Sequence, residues 1–300
     1  MSEFVWKLLF NGIALVPVAA PSLGIAYLVT CIALLIGQHR LIFAPSRSLP
    51  FTPQELGLDY EDVWLSVLTW DGKVERLHGW WLPSASSQEK VLLYLHGNSG
   101  NMSNNLAAAQ RLQQAGFSVL LIDYRGFGRS QGGFPREAEV YRDAQAAWDY
   151  LIQRRGIAPG NIFLYGHSLG GAIAIDLAVR QPLAAGLIVE NTFTSMRAMV
   201  HHRRIYRFLP IDWILTQRFD SLSKLKLLQI PLLVMRGLAD RTIPATMGAQ
   251  LYAAARVPKL ELIVPEADHN NIGAIACEQY LQVMENFTQL IERERVIGKK

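Results

Sequence analysis

The stretch "YGHSLGGA", residues 165 to 172, places one serine between glycines, after the apolar run "IFL" and before a helix-like run. A strand that turns sharply into a helix strains its turning residue, and bulky neighbours two positions away would collide. Gly166 and Gly170 avoid that collision, and the turn would hold the Ser168 hydroxyl above the sheet edge. The pattern therefore predicts a G-x-S-x-G nucleophile elbow. An ordinary strand-to-helix loop is the alternative.

Short apolar runs alternate with helical patterns through residues 59–295. Six continuous runs are typical of strands buried on both faces, and an earlier pair around the turn "DGK" predicts an antiparallel hairpin. Helical periods such as "REAEVYRDAQAAWDYLIQRRG" lie between most of the runs. This alternation predicts an α/β fold, with a mostly parallel eight-stranded sheet, helices on both faces and a short cap inserted at about 193–228. The six runs are "KVLLYLHG", "FSVLLIDY", "NIFLYGHS", "AGLIVENT", "PLLVMRG" and "LELIVP".

The N-terminal segment 8–38 contains no charged residue. A bilayer core takes about 20 apolar residues as a helix, so this segment is long enough to cross it once. A retained single-pass transmembrane anchor is therefore predicted. A cleaved signal peptide ending at "VAA", residues 18–20, fits less well, because Pro21 follows at once and the apolar run continues beyond it.

Charges around this segment leave the side of the membrane open. Lys7 lies before it and Arg40 and Arg47 lie after it, which leans weakly towards a cytoplasmic catalytic domain. Residues 39–58 are rich in proline and serine and predict a linker between the anchor and the domain.

The predicted cap holds the excess positive charge of the chain. The net charge of the protein is +4, yet residues 193–228 alone carry seven basic residues against two acidic ones. Nucleic-acid binding is not predicted, because no recognised binding module accompanies the charge. Contact with anionic lipid head groups and a plain solvated surface both stay open.

Metal and cofactor sites are not indicated by the sequence. Neither C-x-x-C nor H-E-x-x-H occurs, and His201 and His202 are adjacent, a spacing unsuited to shared metal ligation. Cys31 falls inside the predicted span and Cys277 far along the chain, so a disulfide between them is implausible. No cofactor is expected.

Three chemically matched side chains follow predicted strands. Reactive groups gather at the carboxyl ends of strands in an open parallel sheet. Ser168 lies at such an end, Asp240 follows the seventh strand and His269 follows the eighth. Serine needs a base to become nucleophilic, and that base needs a carboxylate to orient it. The chain order of serine, aspartate and histidine is the order that this fold uses. It therefore predicts Ser168, Asp240 and His269 as a catalytic triad, with Glu190 as the substitute for Asp240 as the acid.

Two backbone N–H groups are expected to form an oxyanion hole. Asn98 follows the third strand in "YLHGNSGN", and Leu169 follows the serine. Removing one such donor typically costs about 3 kcal/mol of transition-state stabilisation, so both are needed. The neighbouring His96 is interpreted as a structural histidine that bonds loop backbone, and not as the base.

Other polar residues near these strand ends are interpreted as structural. Asp268 adjoins His269 but would diverge from it, so it is solvent-facing or stabilises the loop. Asp123 is expected to brace its loop through Arg125, and His167 to pack beside the nucleophile.

The motifs "YLHGNSGN", "LLIDYRGFGRSQG", "IFLYGHSLGGAIAIDLA", "LIVENTFTSM", "GLADRTIP" and "ADHNN" resemble those of the α/β-hydrolase superfamily. More narrowly, they are similar to its membrane-anchored abhydrolase-domain branch, which includes the fungal bud-emergence-type proteins. The resemblance covers roughly 41–292. It implies the same triad and the same two oxyanion donors. One departure is Asp268, where a glycine often precedes the histidine.

The sequence thus predicts a membrane-anchored serine hydrolase that cleaves carboxylic esters or thioesters through an acyl-enzyme, with a small-molecule or lipid-like acyl substrate. A serine peptidase or amidase would use the same triad, and a non-catalytic binding protein could keep the fold. Both alternatives stay open.

Overall fold

A computed structural model describes residues 3–84, 90–206 and 208–297, with only the helical backbone described for residues 3–20. Its centre is an eight-stranded sheet in the spatial order β8-β7-β6-β5-β3-β4-β2-β1. Strand β2 pairs antiparallel with β1 and β4, and all other pairs are parallel. The predicted α/β class and opening hairpin are confirmed. The strands are β1 (Glu61–Leu68), β2 (Val74–Leu82), β3 (Val91–Leu95), β4 (Ser118–Ile122), β5 (Ile162–His167), β6 (Gly186–Glu190), β7 (Leu232–Gly237) and β8 (Lys259–Val264).

Helices cover both faces of the sheet. In β3, Leu93 packs into the core under α3 and α4, while the next residue, Tyr94, packs into the core under α2 and α10. Burial on both faces explains why the strand sequences are continuously apolar. The helices are α1 (Glu3–Ile42), α2 (Leu106–Gln114), α3 (Glu137–Gln153), α4 (Leu169–Arg180), α5 (Met196–His202), α6 (Ile211–Ile214), α7 (Ser221–Leu225), α8 (Ala245–Ala254), α9 (Ile272–Ala276) and α10 (Glu278–Ile297).

Helix α1 extends four residues beyond the predicted end of the anchor at residue 38. Its Pro21–Ile42 part is long and apolar enough to cross a membrane, as judged by length and composition. Both Cys31 and Cys277 are free thiols, as expected from their separation.

The segment after α1 is docked onto the domain. Phe43 is buried between the rings of Phe127 and Phe219, and Ala44–Pro45 pairs in parallel with Ser99–Gly100. The predicted linker therefore packs beside the loop that follows β3, which is the loop predicted to carry an oxyanion donor.

The region predicted as the cap contains α5, α6 and α7, between β6 and β7. The Glu137 carboxylate accepts the N–H groups of Arg218 and Phe219, at 2.5 and 2.8 Å, which fixes the end of this region to α3. Lys224 pairs with Asp176 on α4 at 2.8 Å. The last third of the region is thus held against the main domain, and the cap consists of α5, α6 and the chain between them. Arg207, one of its basic residues, lies outside the described residues.

Candidate active site

Ser168 occupies a strained turn between β5 and α4. Its φ is 56° and its ψ is −123°, a conformation that L residues rarely adopt. Its N–H donates to the Glu190 carbonyl at 2.9 Å, and its carbonyl accepts the Thr192 hydroxyl at 2.7 Å. A Cβ at Gly166 would overlap the backbone of Gly170, and one at Gly170 would overlap the Leu95 carbonyl oxygen. The two glycines are therefore what allows the turn.

Gly170→Ala is expected to lower the free energy of unfolding by about 3 kcal/mol, because the overlapping Leu95 oxygen belongs to a central strand and cannot move aside. Gly133→Ala is the matched control, since no heavy atom lies within 4 Å of its Cβ position. Denaturant unfolding of the purified proteins measures both values. Equal losses in the two variants would contradict the steric argument.

His269 lies between the serine and an aspartate. Its Nε2 is 2.9 Å from the Ser168 Oγ, and its Nδ1 is 2.7 Å from the Asp240 Oδ2. The Asp240 side chain is 1% exposed, and its Oδ1 accepts the N–H groups of Thr242 and Ile243 at 2.7 and 2.9 Å. Because the carboxylate holds the proton on Nδ1, Nε2 is left as the acceptor for a serine proton.

Asn191 supports the histidine loop, and sequence reasoning missed it. Its amide nitrogen donates to the His269 carbonyl at 2.9 Å, and its amide oxygen accepts the Gly237 N–H at 2.9 Å. Its φ is 45°, in the left-handed region that asparagine tolerates better than most residues. The position, directly after Glu190 at the end of β6, was the available signal. The side chain ties the loop after β8 to the end of β7.

Asn191→Gly is expected to cost about 1–3 kcal/mol of stability, because it leaves the buried Gly237 N–H without its acceptor while glycine keeps the positive φ. Asn191→Ala adds backbone strain and is expected to be less stable than the glycine variant. Thermal unfolding ranks the two. An alanine variant as stable as the glycine variant would show that the backbone conformation is not strained.

Two neighbours also hold the His269 backbone. The His167 Nε2 lies 2.9 Å from the His269 carbonyl and donates to it, since a carbonyl oxygen can only accept, and burial lowers the pKa of His167. The Asp268 carboxylate accepts the His269 N–H at 2.8 Å and pairs with Arg241 at 2.9 Å. Its hydrogen bond with Arg241 lowers the pKa of Asp268 to about 2. Asp268 therefore stabilises the loop, one of the two interpretations given to it.

Glu190, the substitute considered for Asp240, is bonded to a tyrosine and not to His269. The buried Glu190 carboxylate accepts the hydroxyl of Tyr165, which also lies 3.3 Å from the hydroxyl of Tyr280. The acceptor at the His269 Nδ1 is the Asp240 carboxylate.

The expectation that Asp123 pairs with Arg125 is wrong. Arg125 binds the carboxylate of Asp143 on α3 at 2.6 Å, because its side chain turns towards that helix. Asp123 instead lies 3.3 Å from His96 and accepts the Met102 N–H at 2.7 Å. The other ring nitrogen of His96 lies 2.7 Å from the Gly97 carbonyl, in agreement with its interpretation as a structural histidine.

The two predicted oxyanion donors lie close to the serine: Leu169 is the first residue of α4, and Asn98 belongs to the loop after β3. A Cβ at Gly97 would lie 3.4 Å from the Ser168 Cβ, so this backbone reaches van der Waals distance of the Ser168 side chain. The Asn98 side-chain amide donates to the Ile42 carbonyl at 2.7 Å, and the Asn98 backbone carbonyl accepts the Ala44 N–H at 2.8 Å. The end of α1 therefore fixes the loop that carries Asn98.

A cavity of about 280 Å³ opens beside Ser168, and Asn98 and Leu169 also line it. Its other walls come from α1, from the cap and from the loop after β7. They are predominantly apolar, as is usual for sites that bind small molecules. Within the described residues, no group of three or more His, Cys, Asp or Glu is arranged to hold a metal ion.

The chain is similar in sequence and in fold to several known proteins. A family model described as "Serine aminopeptidase, S33" matches residues 86–224. An uncharacterised protein of Mycobacterium tuberculosis is 37% identical over 78% of this chain and 81% of its own length. Protein bem46 of Schizosaccharomyces pombe is 31% identical over 96% of this chain and 95% of its own length. The solved structure of the Pyrococcus furiosus esterase Pf2001 is similar with a TM-score of 0.65 at 20% identity, over 83% of this chain and 97% of that chain.

Proposed function

The chain belongs to the α/β-hydrolase family, and on that premise we propose that it is a membrane-anchored serine hydrolase that cleaves carboxylic esters or thioesters. The observation that carries the proposal is the position of His269, within hydrogen-bond distance of both Ser168 and Asp240. The esterase fold neighbour is consistent with this chemistry.

The proposed reaction begins when the Ser168 oxygen attacks the substrate carbonyl carbon and passes its proton to the His269 Nε2. Asp240 stabilises the imidazolium, and the N–H groups of Asn98 and Leu169 bind the oxyanion. The bond from the carbonyl carbon to the leaving oxygen or sulfur then breaks, and the leaving group takes the proton from His269. Water, deprotonated by the same histidine, attacks the carbonyl carbon of the acyl-serine. The bond from that carbon to the Ser168 oxygen breaks, and the oxygen takes the proton back from His269, which releases the carboxylic acid and the free enzyme.

Helix α1 supports the anchored location. The charge-free segment 8–38 and the apolar Pro21–Ile42 part of the helix both satisfy the length needed to cross a bilayer. Many exposed side chains along this part are large and apolar, which disfavours contact with water; they include Leu23, Ile25, Leu28, Val29, Ile32 and Ile36.

A serine peptidase is the second candidate, favoured by the description of the matching family model. The same triad would cleave an amide, so reporter substrates decide between the two. We expect the full-length protein in detergent to hydrolyse an acyl ester faster than the amide with the same acyl group. Faster amide cleavage would favour the peptidase.

Covalent labelling tests the proposal as a whole. A fluorophosphonate should react with one residue of the folded full-length protein, and the modified peptide should contain Ser168. A folded protein that does not react would contradict the serine hydrolase and support a binding protein that has kept the fold.

A further inference from the structure

The end of α1 forms one wall of the cavity beside Ser168. Its lining residues are Leu34, Gln38, Leu41 and Ile42. These positions recur at helical spacing and lie on one side of α1. The cap also lines the cavity, with residues such as Met199 and Leu215. A substrate group in this cavity would therefore contact the helix and the cap together.

Gln38 joins the two walls. Its amide nitrogen donates to the Ile214 carbonyl at 2.9 Å, and its amide oxygen accepts the N–H groups of Thr216 and Gln217, at 2.8 and 3.0 Å. The side chain is buried, and both of its polar atoms are bonded. Through these bonds, Gln38 holds the chain just after α6 against α1.

A second contact fixes the position of the cap along the axis of α1. The Tyr27 hydroxyl donates to the Phe208 carbonyl at 2.9 Å, eleven residues before Gln38 and so about 16 Å along the helix. About 20 residues within 8–42 are needed to cross the bilayer core. If they are the first residues of this segment, Tyr27 lies at the lipid boundary. If they are the last ones, Tyr27 lies inside the hydrocarbon. In both cases the cap reaches the bilayer at Phe208.

Three side chains of the cap are large, apolar and exposed. Ile205, Phe208 and Trp213 are 79%, 71% and 89% exposed. Exposed side chains of α1 such as Leu28 and Ile32 are apolar as well, and aromatic side chains such as Trp213 are enriched at membrane interfaces. The bilayer that surrounds α1 is therefore the occupant that fits this surface.

We propose that the substrate is a membrane lipid whose acyl chain enters the cavity from the bilayer, between α1 and the cap, and that the end of α1 limits the length of the chain. This inference rests on the proposed serine hydrolase, because Ser168 is the group that the acyl carbonyl must reach. The reaction is the ester cleavage already described.

The first test measures chain-length preference in the full-length protein in detergent, with p-nitrophenyl butyrate, octanoate and laurate as probes. Leu34→Trp adds bulk to the cavity wall, and Ile36→Trp places the same side chain on the exposed side of α1 as a matched control. Each buried methylene is worth about fourfold in kcat/KM, so loss of contact for two methylenes lowers the laurate-to-butyrate ratio by about 15-fold. We expect this loss in Leu34→Trp and no change in Ile36→Trp.

Identical ratios in the two tryptophan variants would overturn the proposal, provided that both react with the fluorophosphonate. Leu34→Ala guards against a misfolded tryptophan variant, because it widens the cavity and should shift the preference towards the longer ester. An unchanged ratio in this variant would also count against a wall formed by α1. Failure of the wild type itself to react with the fluorophosphonate would refute the serine hydrolase, which is a different result.

The second test addresses the route of entry. The full-length protein is reconstituted into phosphatidylcholine vesicles, and a fluorogenic diacyl ester lipid is placed either in the same vesicles or in separate ones. Hydrolysis confined to lipid in the same bilayer is expected. Equal rates on lipid in separate vesicles would show that the acyl chain enters from water.

Discussion

Ser168→Ala is expected to remove fluorophosphonate labelling and to lower kcat for ester hydrolysis roughly a millionfold, the scale of loss when a triad loses its nucleophile. The reason is that His269 and Asp240 remain in place but have no oxygen to activate. A residual rate above that in water should persist, because the predicted oxyanion donors are backbone groups that the substitution leaves intact. The measurement is the rate of p-nitrophenyl ester release at saturating substrate.

Non-additivity provides the sharper form of this test. His269→Ala should cost about as much as Ser168→Ala, and the double variant should cost no more than either single one, because the residues act as a unit. Ser66→Ala is the matched control, since Ser66 lies exposed on β1, far along the sheet from the site. A Ser168→Ala variant that keeps a large part of the wild-type kcat would assign the attack to a different group.

The sequence predicted the parts of this fold that local patterns determine. Strand β5 and helix α4 could be located because the apolar run, the two glycines and the helical run are contiguous, and the elbow needs no distant partner. The sheet class followed from the continuous apolar strands. The strand ends then brought Ser168, Asp240 and His269 to one edge, because parallel strands share that edge.

Contacts that depend on the packing of distant segments were not predictable in the same way. Gln38 bonds to residues 176 to 179 positions away, and nothing in an apolar anchor sequence indicates which segment its amide will reach. Arg125 is close to Asp123 in the chain and to Asp143 in the fold. It pairs with Asp143, and this pairing depends on where α3 lies. Asn191 acquires its role only when the loops after β7 and β8 meet.

Asp240→Asn is expected to lower kcat about 10⁴-fold, and it separates the two candidate acids. In this variant an amide N–H can replace the Oδ2 oxygen that now faces the His269 Nδ1. The imidazole then carries its proton on Nε2 and cannot accept the proton of Ser168. The Asp240 Oδ1 contacts with Thr242 and Ile243 can be kept by the asparagine oxygen, so the loop should stay folded.

Glu190→Gln is the matched control, because it makes the same change from carboxylate to amide beside the same sheet edge. Its carboxylate is bonded to Tyr165, so the variant should keep its kcat to within about tenfold, a loss far smaller than that of a triad acid. Kinetics of both variants on one ester, together with fluorophosphonate labelling rates, make the comparison. The reverse order, with Glu190→Gln as the slower enzyme, would move the acid of the triad from the end of β7 to the end of β6. The geometry at the His269 Nδ1 predicts that it stays after β7, since the carboxylate there is buried, doubly bonded to backbone N–H groups and aimed at the ring.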